Sequence, residues 1–226
     1  MVKEAPMQGT SCCRILGSTL GLKILMALTG LVLLGFLAGH VAGNLLLFVG
    51  PQKMNDYAKF LKSSPALLWG VRLTLLASVL VHVIAAIRLT KLKADARPVP
   101  YAGKKPHGST YASRTMMWSG PVIGLFVIYH LLHFTTGHLH PTFDHENVYR
   151  NVVDAFSRPA IAGIYVLAML GVGLHLSHGV WSTTQTLGLN RPHLDSGLRR
   201  AGLAAAILIA GGFIAIPVAV LVKLIR

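Results

Sequence analysis

Five stretches of this chain, at about residues 24–49, 67–89, 116–136, 160–184 and 201–221, are apolar over twenty residues or more. A helix needs about 20 apolar residues to span a bilayer. A helix also satisfies its own backbone hydrogen bonds where no water can do so. The expected fold is therefore an all-α membrane protein, a single domain over residues 1–226 built as a bundle of five transmembrane helices. The composition fits: 53% of residues are hydrophobic and 12% charged, against about 25% charged in a soluble domain. All seven acidic residues, Glu4, Asp56, Asp95, Asp144, Glu146, Asp154 and Asp195, fall between the apolar stretches. With no carboxylate inside a span, a membrane-crossing carboxylate relay of the kind pumps use is not expected.

The net charge of +14 suits loops that face anionic lipid better than it suits nucleic acid, which is not an expected partner. Residues 88–114 carry Arg88, Lys91, Lys93, Arg97, Lys104, Lys105 and Arg114 against Asp95 alone. Residues 187–200 carry Arg191, Arg199 and Arg200 against Asp195. Residues 137–158 set three acids against Arg150 and Arg158. Basic loops stay in the cytoplasm, so the N-terminus is expected inside and the C-terminus outside. The 50–66 loop, with Lys53, Lys59 and Lys62 against Asp56, dissents from this placement. Met54, Tyr57, Ala58 and Leu61 recur there at helical spacing, which suggests an amphipathic helix lying on the membrane surface or lining a quinone pocket. Cys12 and Cys13 are adjacent and offer no metal-site spacing. The first apolar run continues as a full span, so no cleavable signal is expected.

Histidines inside apolar spans are costly and usually have a task. His40, His82, His130 and His175 each lie in a different span. At about 1.5 Å per residue, His40 and His130 fall about 5–6 Å to the outer side of their span midpoints, and His82 and His175 about 4–6 Å to the inner side. Two depth-matched pairs are what two stacked bis-imidazole haems b would need. His133 and His178 each follow a candidate ligand by three residues and share a nearby helical face. They are read as hydrogen-bonding neighbours, with the role of alternate ligand left open. His107, His138, His140, His145 and His193 are read as solvated loop residues. Gly35, Gly39 and Gly43, at a spacing of four, suit either a flat macrocycle beside His40 or ordinary small-residue helix packing. Gly171, Gly173 and Gly179 flank His175 similarly. Arg88, about a turn and a half beyond His82, is a candidate propionate partner or a snorkelling interfacial arginine.

Four segments carry a family resemblance: GHVAGNLLLF at 39–48, LVHVIAAIR at 80–88, LFVIYHLLHF at 125–134, and SRPAIAGIYVLAMLGVGLHLSHGVWSTTQTLG at 157–188. In their order and spacing, over essentially the whole chain, the sequence resembles the single-polypeptide dihaem cytochrome b anchor of succinate dehydrogenases and fumarate reductases. The resemblance implies outer-haem ligands at His40 and His130 and inner-haem ligands at His82 and His175. It implies flavoprotein and iron–sulfur partner subunits on the cytoplasmic face, a quinone, with menaquinone favoured, as redox partner, and the inner membrane of a bacterium as location. A dimer of such complexes is compatible with it. The flavin and the dicarboxylate site would belong to another subunit. In one respect the chain departs from the pattern: some fumarate-reducing members carry a glutamate two residues before the inner ligand, where this chain has Gly173. The rival readings are a cytochrome b subunit of a hydrogenase or formate dehydrogenase, and a cofactor-free transporter with histidine-lined contacts.

Overall fold

A computed structural model describes residues 17–96 and 111–226. Cys12, Cys13, Arg97, Lys104, Lys105 and His107 lie outside them. In chain order the helices are α1 (Thr19–Asn44), α2 (Pro51–Lys62), α3 (Pro65–Asp95), α4 (Tyr111–His130), α5 (Val148–Phe156), α6 (Pro159–Thr186) and α7 (Asp195–Leu221). Five of these, α1, α3, α4, α6 and α7, are long and apolar enough to cross a membrane. Large side chains on α3 such as Leu73, Leu76, Ile84 and Ile87 remain exposed, as a lipid-facing surface requires.

The helix boundaries follow local chemistry. The Ser18 side chain accepts a hydrogen bond from Gly21 N at 3.0 Å and starts α1. Asn147 caps α5 by accepting from Arg150 N at 3.1 Å. Proline opens α2, α3 and α6, where its missing N–H is not needed. After α1 the chain tightens into a 3-10 turn at Leu45–Phe48. It then reverses at Gly50, whose φ of 126° is open to glycine and strained for other residues. α4 ends differently. It widens into a π turn over Leu131–Thr135, closed by Thr136 N donating to Leu131 O at 2.9 Å.

The closely packed pairs of long helices are α6–α7, α1–α3, α4–α6, α1–α6 and α1–α7. Gly202 brings α7 against α6, since a Cβ there would sit 3.2 Å from the Ser177 carbonyl oxygen. Gly212 seats α7 on α1 beneath Val41. At one end of the bundle α2, α5 and the last residues form a cap. Leu47, Met54, Phe156, Ile216 and Ile225 are buried together there. Asn55 donates to Asn147 Oδ1 at 3.1 Å and accepts from Tyr149 N at 3.0 Å, and the Tyr149 hydroxyl donates to Arg226 O at 2.9 Å. Lys62 also donates to the His145 carbonyl. The opposite end, which carries Arg88 and the 187–194 loop, is called the basic end below.

The surface helix expected near 54–61 is α2, with Met54 turned inward and Phe60 outward. α5 was not expected from the sequence. His140, read above as solvated, is in fact buried in the cap, because α5 folds over it.

Candidate functional site

The structure brings His82 on α3 to His175 on α6, with ring centres 6.3 Å apart. It brings His40 on α1 to His130 at the end of α4, with ring centres 5.9 Å apart and planes at 79°. Neither helix pair is among those that pack closely, so each pair of imidazoles reaches across a gap between helices. The His82 ring lies against Gly30 of α1. Ten residues separate Gly30 from His40, which puts the two layers about 15 Å apart along α1.

A metal–imidazole bond is about 2.0–2.1 Å long, so two imidazoles on opposite faces of one metal hold their ring centres roughly 6 Å apart. Both pairs stand at that separation without hydrogen-bonding to each other. Among the described residues no three His, Cys, Asp or Glu side chains converge. Two donors do not complete the shell of a bare transition ion. They do complete the shell of a metal whose remaining ligands come from a planar macrocycle.

At His82, His175 and His130 the Nδ1 atoms are engaged in a way that suits ligation through Nε2. Metal-bound histidines usually hold their other ring nitrogen on a polar neighbour. His82 Nδ1 lies 3.2 Å from Thr29 Oγ1, and that hydroxyl's single proton is directed to Leu25 O at 2.7 Å. The threonine must therefore accept from His82 Nδ1–H, which leaves the Nε2 lone pair free. Ser119 repeats the arrangement with longer contacts, 3.3 Å to His175 Nδ1 and 3.4 Å to Met116 O. His130 Nδ1 lies 3.5 Å from the Tyr165 hydroxyl. Asn44 Nδ2 sits 3.3 and 3.5 Å from the two ring nitrogens of His40, over the edge between them, and donates to His40 O at 2.7 Å. Phe36 stacks on His40 at 5.1 Å and Phe213 meets it at 5.5 Å.

No protein-family model, curated protein or solved structure matches this chain.

His133 is turned into the cap. It is 1% exposed, its Nδ1 lies 2.9 Å from the Tyr165 hydroxyl, and its ring stacks against Tyr129 and His140. His178 packs against Trp181 at 5.8 Å. Trp181 belongs to a clasp at the basic end. Its Nε1 donates to Asp195 at 2.8 Å, as do Asn190 at 2.7 Å and Arg199 at 2.7 Å, while the Arg199 guanidinium lies 3.6 Å over the indole. The clasp ties the 187–194 loop to both flanking helices. Arg88 lines a groove of about 360 Å³ with Leu22, Leu25, Val81, Ile84 and Ala85, and no histidine takes part in it. Six residues of helix turn Arg88 roughly 120° around α3 from His82.

Of the three spaced glycines, Gly43 is filled by Tyr57 of α2, which would lie 2.6 Å from an added Cβ. Gly35 and Gly39 meet no protein atom within 4 Å, leaving room for a flat group or a lipid chain. Gly173 packs on Ala210, whereas Gly171 and Gly179 are open in the same sense. Reading the sequence missed Thr29, Ser119 and Tyr165. Their signal was there: a hydroxyl inside an apolar helix needs a partner.

Proposed function

We propose that this protein is a dihaem cytochrome b, the membrane anchor of a bacterial succinate:quinone oxidoreductase. The observation that carries the reading is the pair of imidazole layers. Their ring centres stand 5.9 and 6.3 Å apart, so each pair could hold one metal between its two rings, and each bridges helices that do not otherwise pack closely. The resemblance over segments 39–48, 80–88, 125–134 and 157–188 supports the same assignment. His40 and His130 would hold one haem near the cap, and His82 and His175 the other toward the basic end. Haem supplies a one-electron carrier whose potential is set by its ligands, their hydrogen bonds and the burial around them. The chain's own residues hold the two imidazoles of each layer in register and exclude water.

Loop charge supports a cytoplasmic basic end in an inner-membrane protein. An iron–sulfur subunit would dock there beside its flavoprotein, and electrons would pass through the two layers to or from a quinone, menaquinone by preference. Purified protein assayed as the pyridine haemochrome should contain two haems b per chain and show sharp reduced α-bands. A value near one, or none, overturns the proposal. Co-purification of a flavin-bearing subunit is expected, and its replacement by a hydrogenase or formate dehydrogenase subunit would refute the succinate assignment. Protease added to intact cells should leave the loop containing Lys104 and Lys105 uncut, and cleavage there would reverse the orientation.

A further inference from the structure

The two layers are supported differently. In the basic-end layer each Nδ1 meets an aliphatic hydroxyl that also reaches a backbone carbonyl of its own helix. In the capped layer His130 meets a chain of side chains that runs outward into the cap. Tyr165 lies 3.5 Å from His130 Nδ1 and 2.9 Å from His133 Nδ1. The His133 ring stacks on His140 with centres 5.1 Å apart and planes at 26°. His140 Nε2 meets the Asn151 carbonyl oxygen at 2.9 Å. Along this run two nitrogens, His133 Nε2 and His140 Nδ1, are buried and lack a hydrogen-bond partner; among the described residues His178 Nδ1, at the other end of the bundle, is a third. His133 and His140 are 1% and 5% exposed. Leftover buried polar atoms of this kind call for an explanation.

The chemistry of the outermost partner orders the rest. A carbonyl oxygen only accepts, so His140 must carry its proton on Nε2. A neutral His140 then presents a lone pair at Nδ1. The other leftover atom, His133 Nε2, belongs to the ring packed against His140 and is its complement if it bears the proton. That choice leaves a lone pair on His133 Nδ1, which accepts from the Tyr165 hydroxyl. The tyrosine has only one proton to give, so its oxygen must accept from His130 Nδ1–H. The His130 Nε2 lone pair is thereby free to face His40. Run in reverse, the chain would leave two lone pairs, His133 Nε2 and His140 Nδ1, in a buried stack. It would also place a proton on His130 Nε2, where a ligand needs none.

We infer that the Asn151 carbonyl, His140, His133 and Tyr165 form a directional hydrogen-bond relay that fixes His130 in its Nδ1–H form and turns its Nε2 lone pair toward the capped layer. The role of His130 as a ligand rests on the function proposed above. The order of protons along the relay does not, because it follows from the Asn151 carbonyl and from pairing the two leftover nitrogens. Tyr165, His133 and His140 are positioning residues here, acting on the ligand from behind. The relay accounts for both leftover nitrogens, for a second histidine three residues from His130, and for a buried tyrosine hydroxyl placed between them.

The test combines proton placement with redox titration. In protein labelled with ¹⁵N-histidine and held in lipid, solid-state NMR should find His140 and His133 protonated at Nε2 and His130 at Nδ1. A His133 protonated at Nδ1 overturns the relay. Tyr165→Phe keeps the ring and removes the hydroxyl. It should move the midpoint of the capped-layer haem to more positive potential and weaken its retention about 10–100-fold, leaving the other haem unchanged. His140→Phe keeps a ring in the stack and cuts the link to Asn151. It should shift the same component in the same direction, which a purely structural neighbour would not do. Unshifted components in Tyr165→Phe, or equal shifts of both, overturn the relay. Protein that binds no haem overturns the proposed function instead, and the NMR measurement on that protein still decides the relay.

Discussion

Replacing Gly212 by alanine tests how α1 is held in place. An added Cβ would lie 2.7 Å from Val41 Cγ2, and the next atom, Leu45 Cδ1, is 4.0 Å away. Carbon atoms in contact settle near 3.5–4.0 Å, so α1 and α7 must separate by roughly 1 Å. Val41 cannot turn aside, because a β-branched side chain holds one strongly preferred rotamer in a helix. Overpacking of this kind costs about 1–3 kcal/mol. The glycine-to-alanine change returns about 1 kcal/mol of helix propensity, so the net loss should be about 0–2 kcal/mol. The informative quantity is the coupling with Val41→Ala, which removes the clashing methyl groups. In that background Gly212→Ala should be neutral or stabilising, giving a coupling of about 1–3 kcal/mol. Unfolding in mixed micelles measures the four proteins of the cycle. Val41 follows His40 directly, and Phe213, beside Gly212, touches the His40 ring. Gly212→Ala should therefore also perturb the reduced spectrum of the capped layer alone, with Val41→Ala restoring it. A coupling below about 0.5 kcal/mol, within ordinary additivity, would refute the argument.

Under the proposed function, alanine at His40 or His130 should lose the capped-layer haem or convert it to high spin while the other survives, and alanine at His82 or His175 should do the converse. Alanine at His133 or His178 should leave two low-spin haems, and loss of a haem from His133→Ala but not from His130→Ala would reverse the ligand assignment on α4. Asn151, 1% exposed, accepts from Asp144 N at 2.9 Å and donates to Asp144 O at 2.7 Å. Asn151→Leu strands two backbone groups and should destabilise the cap by on the order of 2–4 kcal/mol, seen as faster hydrogen exchange in 140–156. Unchanged exchange there would show that the Asn151–Asp144 bonds contribute little.

The five spans and the pairing of the histidines could be read from sequence because both depend on quantities local to each helix. Apolar length identifies a span, and a fixed rise per residue converts position into depth. Helix ends were less legible. α3 runs on to Asp95, past the apolar stretch ending near 89, because helical hydrogen bonding continues into polar residues while hydropathy senses only the bilayer. Gly35, Gly39 and Gly43 look alike in sequence, and what separates them is Tyr57, which arrives from α2 to fill the last. His140 looked like any loop histidine because its burial depends on α5 and His133, contacts made only when the cap closes. Thr29 and Ser119 looked like ordinary small polar residues until the folded helices set them against His82 and His175.

The π turn after His130 has a bearing on chain length. Its i-to-i+5 bond, Thr136 N to Leu131 O, encloses one residue more than an α turn. In effect it is a one-residue insertion accommodated inside a helix. Deleting a single residue between His130 and His133 would let the turn relax to α geometry, keep His130 and the chain beyond the turn in place, and move His133 about 100° around the helix relative to His130. His133 would swing away from Tyr165, and His140 would lose the ring it stacks on. Whether this chain keeps its second histidine behind the first is thus set by a residue count. An insertion or deletion at 131–135 would change the site without altering any residue that touches it.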